Sequence, residues 1–311
     1  MYHEVAVHVV IPAYNVAPHI TAVVTTLPSW VDTVWVVDDA STDATAERLR
    51  EIADPRLHRL SHAENQGVGG AMVTGFRAVL EAHEGIVVKM DGDGQMDPAY
   101  LPALLDPLVA HTCDYTKGNR FLSSHALEQM PTHRLIGNFA LTFLTKLASG
   151  YWNIFDPQNG YLAIPTVLLK KIDLDHLARR YFFENDMLIH LNILGVRAHD
   201  VDIPARYGDE ISAMRISRIF LTFPRYLFRR YWYRFYQKHV LRNFSPIALF
   251  IVAGMPLLLW GTLFGLFTWY RSVAHHTFAS TGTVMLSVLP FIVGFELLLQ
   301  AIVLEIHETP K

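Results

Sequence analysis

Along residues 1–120, short apolar runs of strand length alternate with stretches whose apolar residues recur every three to four positions. Strand-like runs cover residues 5–11, 33–37, 57–60 and 86–90, and helix-like stretches cover 17–27, 42–53, 70–82 and 100–109. This rhythm predicts an α/β fold with a mostly parallel central sheet and helices on both faces. Sheets of that kind bind ligands beyond the carboxyl ends of their strands. Chemistry is therefore expected at residues 12–15, 38–43, 65–70 and 91–97.

The pattern changes near the C-terminus. No charged residue occurs from Asn243 to Tyr270, and a second apolar run covers 284–304, interrupted by Glu296. Each run exceeds the roughly 20 residues that cross a hydrocarbon core, which predicts two transmembrane helices at about residues 245–270 and 283–305. Pro256 and Pro290 are expected kink positions, and Glu296 is expected to contact another helix, because an ionisable group inside a span needs a partner. His275 and His276 fall in the short turn between the spans, where no metal site is expected.

Charge sharpens this division. The net charge of −3 conceals 16 Lys/Arg against 26 Asp/Glu in residues 1–210, and no acidic residue at all from Ile211 to Phe295. Arg215, Arg218, Arg225, Arg229, Arg230, Arg234, Lys238 and Arg242 precede the first span. Basic residues flanking a span favour the cytoplasmic side and attract anionic headgroups. Ile216, Ile219, Phe220, Phe223, Tyr226, Leu227, Tyr231, Trp232 and Phe235 lie among them at helical spacing, predicting interfacial helices bound to membrane lipids. Arginine with aromatics also suits a nucleic-acid face, but adjacency to a span favours lipid, and no nucleic-acid partner is expected. The expected organisation is a catalytic domain over 1–210, basic amphipathic juxtamembrane helices over 211–243, the spans within 244–306 and a cytoplasmic tail over 307–311. The lone Cys113 fits a reducing compartment, and the N-terminus reads as a first strand rather than a signal peptide.

The most specific local signal is Asp91-Gly92-Asp93-Gly94-Gln95-Met96-Asp97, directly after the strand-like run 86–90. Two carboxylates separated by one glycine can converge on a cation, and oxygen donors suit Mg²⁺ or Mn²⁺. An EF-hand is excluded, because Met96 and Pro102 stand where its loop needs Gly and Glu. Asp38-Asp39-Ala40-Ser41-Thr42-Asp43 places acids at the end of the second strand, with Ser41 expected to cap the next helix. A dinucleotide-binding domain would use such an acid, but it needs a Gly-x-Gly-x-x-Gly turn where this chain has Ile11-Pro12-Ala13-Tyr14-Asn15. The glycine-rich turn Asn65-Gln66-Gly67-Val68-Gly69-Gly70 opens a helix, and its N–H groups are expected to face a diphosphate.

In this order these motifs resemble the inverting glycosyltransferases of family two, which have the GT-A fold. Gly118-Asn119-Arg120-Phe121, His133-Arg134, Asp156-Pro157-Gln158-Asn159-Gly160, Phe183-Glu184-Asn185-Asp186 and Arg206-Tyr207-Gly208-Asp209-Glu210-Ile211-Ser212 narrow the resemblance to the polyprenyl-phosphate glycosyltransferases. The resemblance implies a GT-A nucleotide-sugar-binding domain in which Pro12, Ala13, Tyr14, Asn15, Asp38, Asp39, Gly67, Asp91 and Gly92 bind the donor. It implies that Asp91, Asp93 and Gln95 hold a divalent metal, Mg²⁺ or Mn²⁺. Arg120, Arg134 and Arg206, with Ser212, would gather the acceptor phosphate; Glu184 and Asp186 would flank the reacting carbon, and Asp156 would shape the acceptor side. Val16 and Val68 depart from residues common in that family, Glu and, in some mannose synthases, Lys.

The implied activity is transfer of a hexose from a UDP- or GDP-sugar to undecaprenyl or dolichyl phosphate, at the cytoplasmic face of a bacterial inner membrane. Self-association through the spans would accompany it. A processive polysaccharide synthase would share the donor motifs but needs a Gln-x-x-Arg-Trp motif and more spans, neither of which is present. The arginines disfavour a different lipid-linked acceptor, and intact Asp91, Asp93 and Asp186 disfavour a non-catalytic scaffold.

Overall fold

A computed structural model describes residues 1–120, 132–204 and 216–310, with side chains described except at 132–138 and 216–222. The chain forms two compact units, Met1–Tyr231 and Trp232–Thr309. The first begins with β1 (Val7–Ala13), α1 (Ile20–Thr25), β2 (Thr33–Asp38), α2 (Thr45–Glu51), β3 (Leu57–Ser61), α3 (Val68–Ala82) and β4 (Ile86–Lys89). It continues with α4 (Leu101–Val109), β5 (Tyr115–Asn119), α5 (Thr132–Ser149), β6 (Leu162–Pro165), α6 (Thr166–Leu169), α7 (Phe183–Ile193) and β7 (Ala198–Asp202).

Among the described residues seven strands form one sheet in the order β3-β2-β1-β4-β6-β5-β7. Only β6 runs against the others, pairing antiparallel with β4 and β5. Six carboxyl strand ends and the amino end of β6 therefore share one edge. Alternation along the strands divides the core: Val9, Ile11, Val34, Val36 and Val88 pack with α1 and α4, while Val10, Trp35, Val87 and Leu162 pack with α3 and α7. The α7 helix is buried throughout, which explains why its apolar residues show no one-sided stripe.

The loops after β1 and β2 differ from expectation in a way that matters for the site. Ser41 does not cap the helix that follows. Its Oγ accepts from the Asn15 amide (3.0 Å), Thr42 donates back to Asn15 Oδ1 (2.8 Å), and α2 starts only at Thr45, whose amide donates to Asp43 Oδ1 (3.0 Å). Asp43 Oδ2 also accepts from Ala17 (3.1 Å), and Thr45 Oγ1 from Val16 (2.9 Å). The amides of residues 15–17 are thus committed to the neighbouring loop, and α1 is shorter than its apolar pattern predicts.

The last helix of the first unit, α8 (Ile216–Phe235), continues through the unit boundary. Its Phe223 and Leu227 are buried, while Arg225, Tyr226, Phe228 and Arg229 are exposed. The sequence assigned all its aromatics to a membrane surface; part of that apolar face packs on protein instead, Phe223 meeting the Phe182 ring edge-on at 5.4 Å.

In the second unit a π-helical segment, Tyr236–Arg242, leads to α9 (Pro246–His275) and α10 (Thr281–His307), both long and apolar enough to cross a membrane. They pack antiparallel at small residues: a Cβ on Gly261 would lie 2.5 Å from the Phe291 amide, and one on Gly294 only 2.4 Å from that of Leu258. Glu296 is exposed and accepts from Gln300 Nε2 of its own helix (2.9 Å). Arg234 Nη1 lies 2.6 Å from Glu305 Oε1, His239 Nε2 lies 3.4 Å from the same oxygen, and all three side chains are buried.

Candidate active site

The shared sheet edge gathers the loops that the motifs singled out. After β4, Asp91 and Asp93 are partly exposed and Gln95 is exposed; the Gln95 amide donates to Asp93 Oδ1 (3.0 Å). Gly92 is buried, and a Cβ there would lie 3.3 Å from Pro12 O and from the Val16 side chain, which joins this loop to the one after β1. Tyr14 beside it is 48% exposed, open to stack on a planar ligand.

Two lysines that none of the sequence motifs includes lie beneath these acids. Lys89 stands inside the run read as an apolar strand, and Lys117 occupies β5; both pair in register with Leu162 of β6, so they project from the same face. Both are fully buried. Lys89 Nζ donates to Asp91 Oδ1 (2.6 Å) and lies 3.3 Å from Glu184 Oε1. Burial works against the Lys89 charge, but Asp91 and Glu184 outweigh it and hold the ammonium above its ordinary range. Lys117 Nζ donates to Asn159 O, and burial dominates there, pushing its pKa down to about 8 despite Glu184 and Asp156. Gly160 is needed for this packing, since a Cβ would come 2.3 Å from Lys89 Nζ and 2.8 Å from Asp91 Oδ2. A lysine interrupting a β-branched strand was the available signal for Lys89.

Just past the end of β5, buried Asp156 takes Arg120 in a two-pronged pair, Nε to Oδ2 at 2.7 Å and Nη2 to Oδ1 at 3.0 Å, and also accepts from the Arg120 amide. The Arg120 side chain remains 42% exposed. Asp156 thus aims the guanidinium. Arg134 lies in α5 with its side chain outside the described residues, and Arg206 and Ser212 lie outside them altogether.

Asp38 and Asp39 serve different partners. Asp38 Oδ1 accepts from the Ser41 amide (3.1 Å). Asp39 is buried; its carboxylate accepts from the Gln66 amide (2.8 Å) and the Gly67 amide (2.7 Å), and His62 Nδ1 lies 2.7 Å from Oδ1. The glycine-rich turn therefore does not present these N–H groups to a ligand. The Gly70 amide is also taken, donating to Arg179 O (2.9 Å). Gly67 has φ +84°, and a Cβ on Gly69 would lie 2.1 Å from Ala178 O. These glycines admit the backbone of residues 178–180.

Glu184 and Asp186 separate. Two positions apart on α7 they point to nearly opposite sides: Glu184 turns to Lys89, while Asp186, wholly buried, accepts at Oδ2 from the Ala178 amide (2.8 Å) and from Arg230 Nη2 (2.7 Å). Burial raises the Asp186 pKa to about 6 against the pull of Arg230. The fold brings Glu184, not Asp186, to the acids at the sheet edge.

The donor set fits a small divalent cation held by few protein atoms. Asp91 and Asp93 are hard oxygen donors on one turn, and no cluster of three or more His, Cys, Asp or Glu suited to a metal occurs among the described residues. A cation with only two carboxylates completes its shell with water and phosphate oxygens, as Mg²⁺ does.

Residues 8–173 match the family profile described as glycosyl transferase family 2. The chain is 28% identical over 232 residues to the UDP-N-acetylglucosamine–dolichyl-phosphate N-acetylglucosaminyltransferase of Methanococcus voltae, covering 70% of this chain and 92% of that protein. It is 34% identical over 199 residues to the undecaprenyl-phosphate mannosyltransferase of Micrococcus luteus, covering 62% of this chain and 81% of that one. The glucosyl-3-phosphoglycerate synthase of Mycobacterium tuberculosis, solved with Mn²⁺, UDP and glucosyl-3-phosphoglycerate, superposes with a TM-score of 0.53 at 21% identity, covering 74% of this chain and 80% of that one. The sheet and its acidic edge thus have the GT-A fold, and the chain is a glycosyltransferase that belongs to glycosyl transferase family 2.

Proposed function

We propose that the protein transfers a hexose from a UDP- or GDP-sugar to a polyprenyl phosphate, with inversion, at the cytoplasmic face of a membrane that α9 and α10 cross. The observation that carries this reading is the convergence, on one sheet edge, of the Asp91–Asp93 pair with an arginine aimed by a buried carboxylate. Relatives that act on dolichyl and undecaprenyl phosphate support the acceptor class. Metal and UDP in the fold neighbour support the donor side.

In this reading Tyr14 stacks on the base, Asp38 and the loop of residues 12–15 take the nucleoside, and Asp91, Asp93 and Gln95 hold Mg²⁺ or Mn²⁺. When bound, the cation neutralises charge on the leaving diphosphate. Lys89 fixes Asp91 and Glu184 in place. Arg120, with Arg134, Arg206 and Ser212, takes the acceptor phosphate, whose oxygen attacks C1 of the sugar. A bond from C1 to the acceptor phosphate oxygen forms on one side as the bond from C1 to the diphosphate oxygen breaks on the other, its electron pair leaving with the nucleoside diphosphate. The acceptor is already an anion near neutral pH, so no strong base is required. Positioning is then the main task, worth about 7–11 kcal/mol.

The test uses full-length protein in lipid nanodiscs with radiolabelled UDP-glucose, UDP-N-acetylglucosamine or GDP-mannose, with undecaprenyl or dolichyl phosphate. Labelled lipid that requires the phosphate acceptor and disappears with EDTA is expected. Nucleotide release with no labelled lipid from any donor would overturn the acceptor assignment.

A further inference from the structure

We propose that Arg230 of α8 is a positioning residue for the donor site: through Asp186 it holds the 176–180 segment on the glycine-rich turn, so that nucleotide-sugar binding depends on the seating of the juxtamembrane helix. The inference rests on the donor-site reading above. It follows from an unbroken series of contacts within the first unit.

The series starts at the nucleotide end. Asp39, which directly follows the proposed nucleoside contact Asp38 at the end of β2, holds the Gln66 and Gly67 amides. The other side of that turn is covered by backbone from the 176–180 segment: Arg179 O accepts from Gly70, and Cβ atoms on Gly67 and Gly69 would lie 2.7 Å from Arg179 O and 2.1 Å from Ala178 O. Arg179 Nη1 also reaches Gln66 Oε1 (3.3 Å). At that spacing the segment and the turn move together.

Two bonds from Arg230 fix the segment. One Nη2 group donates both to His176 O (2.7 Å) and to Asp186 Oδ2 (2.7 Å), and the same carboxylate oxygen accepts from the Ala178 amide (2.8 Å). Asp186 is wholly buried, and its other oxygen lies 3.9 Å from His190 Nε2. Burial disfavours the carboxylate, and the Arg230 guanidinium leads the interactions that oppose it, ahead of the Ala178 amide.

Arg230 reaches this place because α8 is docked along a face of period seven. Phe223 and Leu227 are buried, Phe182 packs against Phe223 at 5.4 Å and Tyr226 at 5.5 Å, and Arg230 lies one turn beyond Leu227. The opposite face keeps Arg225, Phe228 and Arg229 exposed. Asp186 has its back to Lys89 and Asp91, so its link to the site runs through Ala178 rather than through the reacting carbon.

Amide hydrogen exchange on the full-length protein in nanodiscs, without nucleotide, tests the arrangement directly. In Arg230→Met, exchange should accelerate about tenfold or more at residues 67–71 and 178–180, with the second half of α3 and strands β1 and β2 unchanged. Arg230→Lys should retain much of the protection. Asp186→Asn combined with Arg230→Met should be no worse than the more severe single variant, because both cut one link. In turnover, Arg230→Met should raise the donor KM about tenfold while kcat changes far less. Unchanged exchange in the turn, or a uniform rise across the unit, overturns the proposal. Because the exchange measurement needs no substrate, it stands or falls separately from the transfer assay.

Discussion

At the carboxyl edge of the sheet, Lys89 and Lys117 are buried with Glu184 beside a partly exposed Asp91; in the second unit, Arg234 and His239 are buried with Glu305. The two clusters use the same kinds of side chain but end differently. In the second unit no member exceeds 6% exposure. At the sheet edge Asp91 is 31% exposed and Arg120, on Asp156, is 42% exposed. Lys117 also holds its proton less firmly than an ordinary lysine. A closed cluster serves to join elements. An open one, with charge directed outward over a buried base, is arranged for a ligand that completes it.

The sharpest way to break this comparison is to remove an outward carboxylate. Asp93→Ala should cost about a thousandfold or more in transfer rate, in line with loss of electrostatic stabilisation at a reacting centre. The melting temperature should be nearly unchanged, since Asp93 is partly exposed. Transfer assays beside thermal melts check this; near-normal turnover would remove the open cluster from the chemistry. Glu305→Gln is the reverse experiment. Leaving Arg234 buried without its counter-charge should destabilise the second unit by about 3–5 kcal/mol, read as a lower melting temperature in nanodiscs, with turnover per folded molecule retained.

A smaller effect tests how tightly the glycine-rich turn is packed. Gly69→Ala places a methyl 2.1 Å from Ala178 O, a backbone atom that cannot rotate away. Overpacking of this kind costs about 1–3 kcal/mol. It should appear as a raised donor KM together with a modest loss of thermal stability, measured on the same preparation.

The sequence carried the parallel half of the fold because β1, β2 and β4 are β-branched runs bounded by turn residues, and their acids fall where such strands end. It carried less of the other half. β5 (Tyr-Thr-Lys-Gly-Asn) and β7 (Ala-His-Asp-Val-Asp) are too polar to stand out, and β6 has only four residues. The site was legible where chemistry is local, as in Asp91-Gly92-Asp93. It was not legible where a contact spans the chain, as in Lys89 with Glu184 or Asp186 with Arg230, because spacing along a sequence says nothing of such pairs. The glycine-rich turn shows the limit most clearly. Its composition is equally suited to cradling a phosphate and to admitting backbone, and only the packing of Ala178 and Arg179 distinguishes the two.

The last and smallest effect concerns Lys117, the member of the open cluster in which burial prevails. Its folded pKa of about 8 lies below the ordinary 10.5. Between those values the unfolded chain binds a proton that the folded chain does not, so stability rises with pH across that window, by at most about 1.4 kcal/mol per pH unit. The contribution is fully present above 10.5 and is lost as pH falls through 8. Lys117→Met has no such proton, so the difference in stability between the variant and the wild type should shift in favour of the wild type from about pH 8 to about pH 9.5. Thermal melts of both proteins over that range give the comparison directly. Parallel pH profiles would mean that water or a counter-charge already compensates Lys117, and the sheet-edge cluster would then be as closed as the one around Glu305.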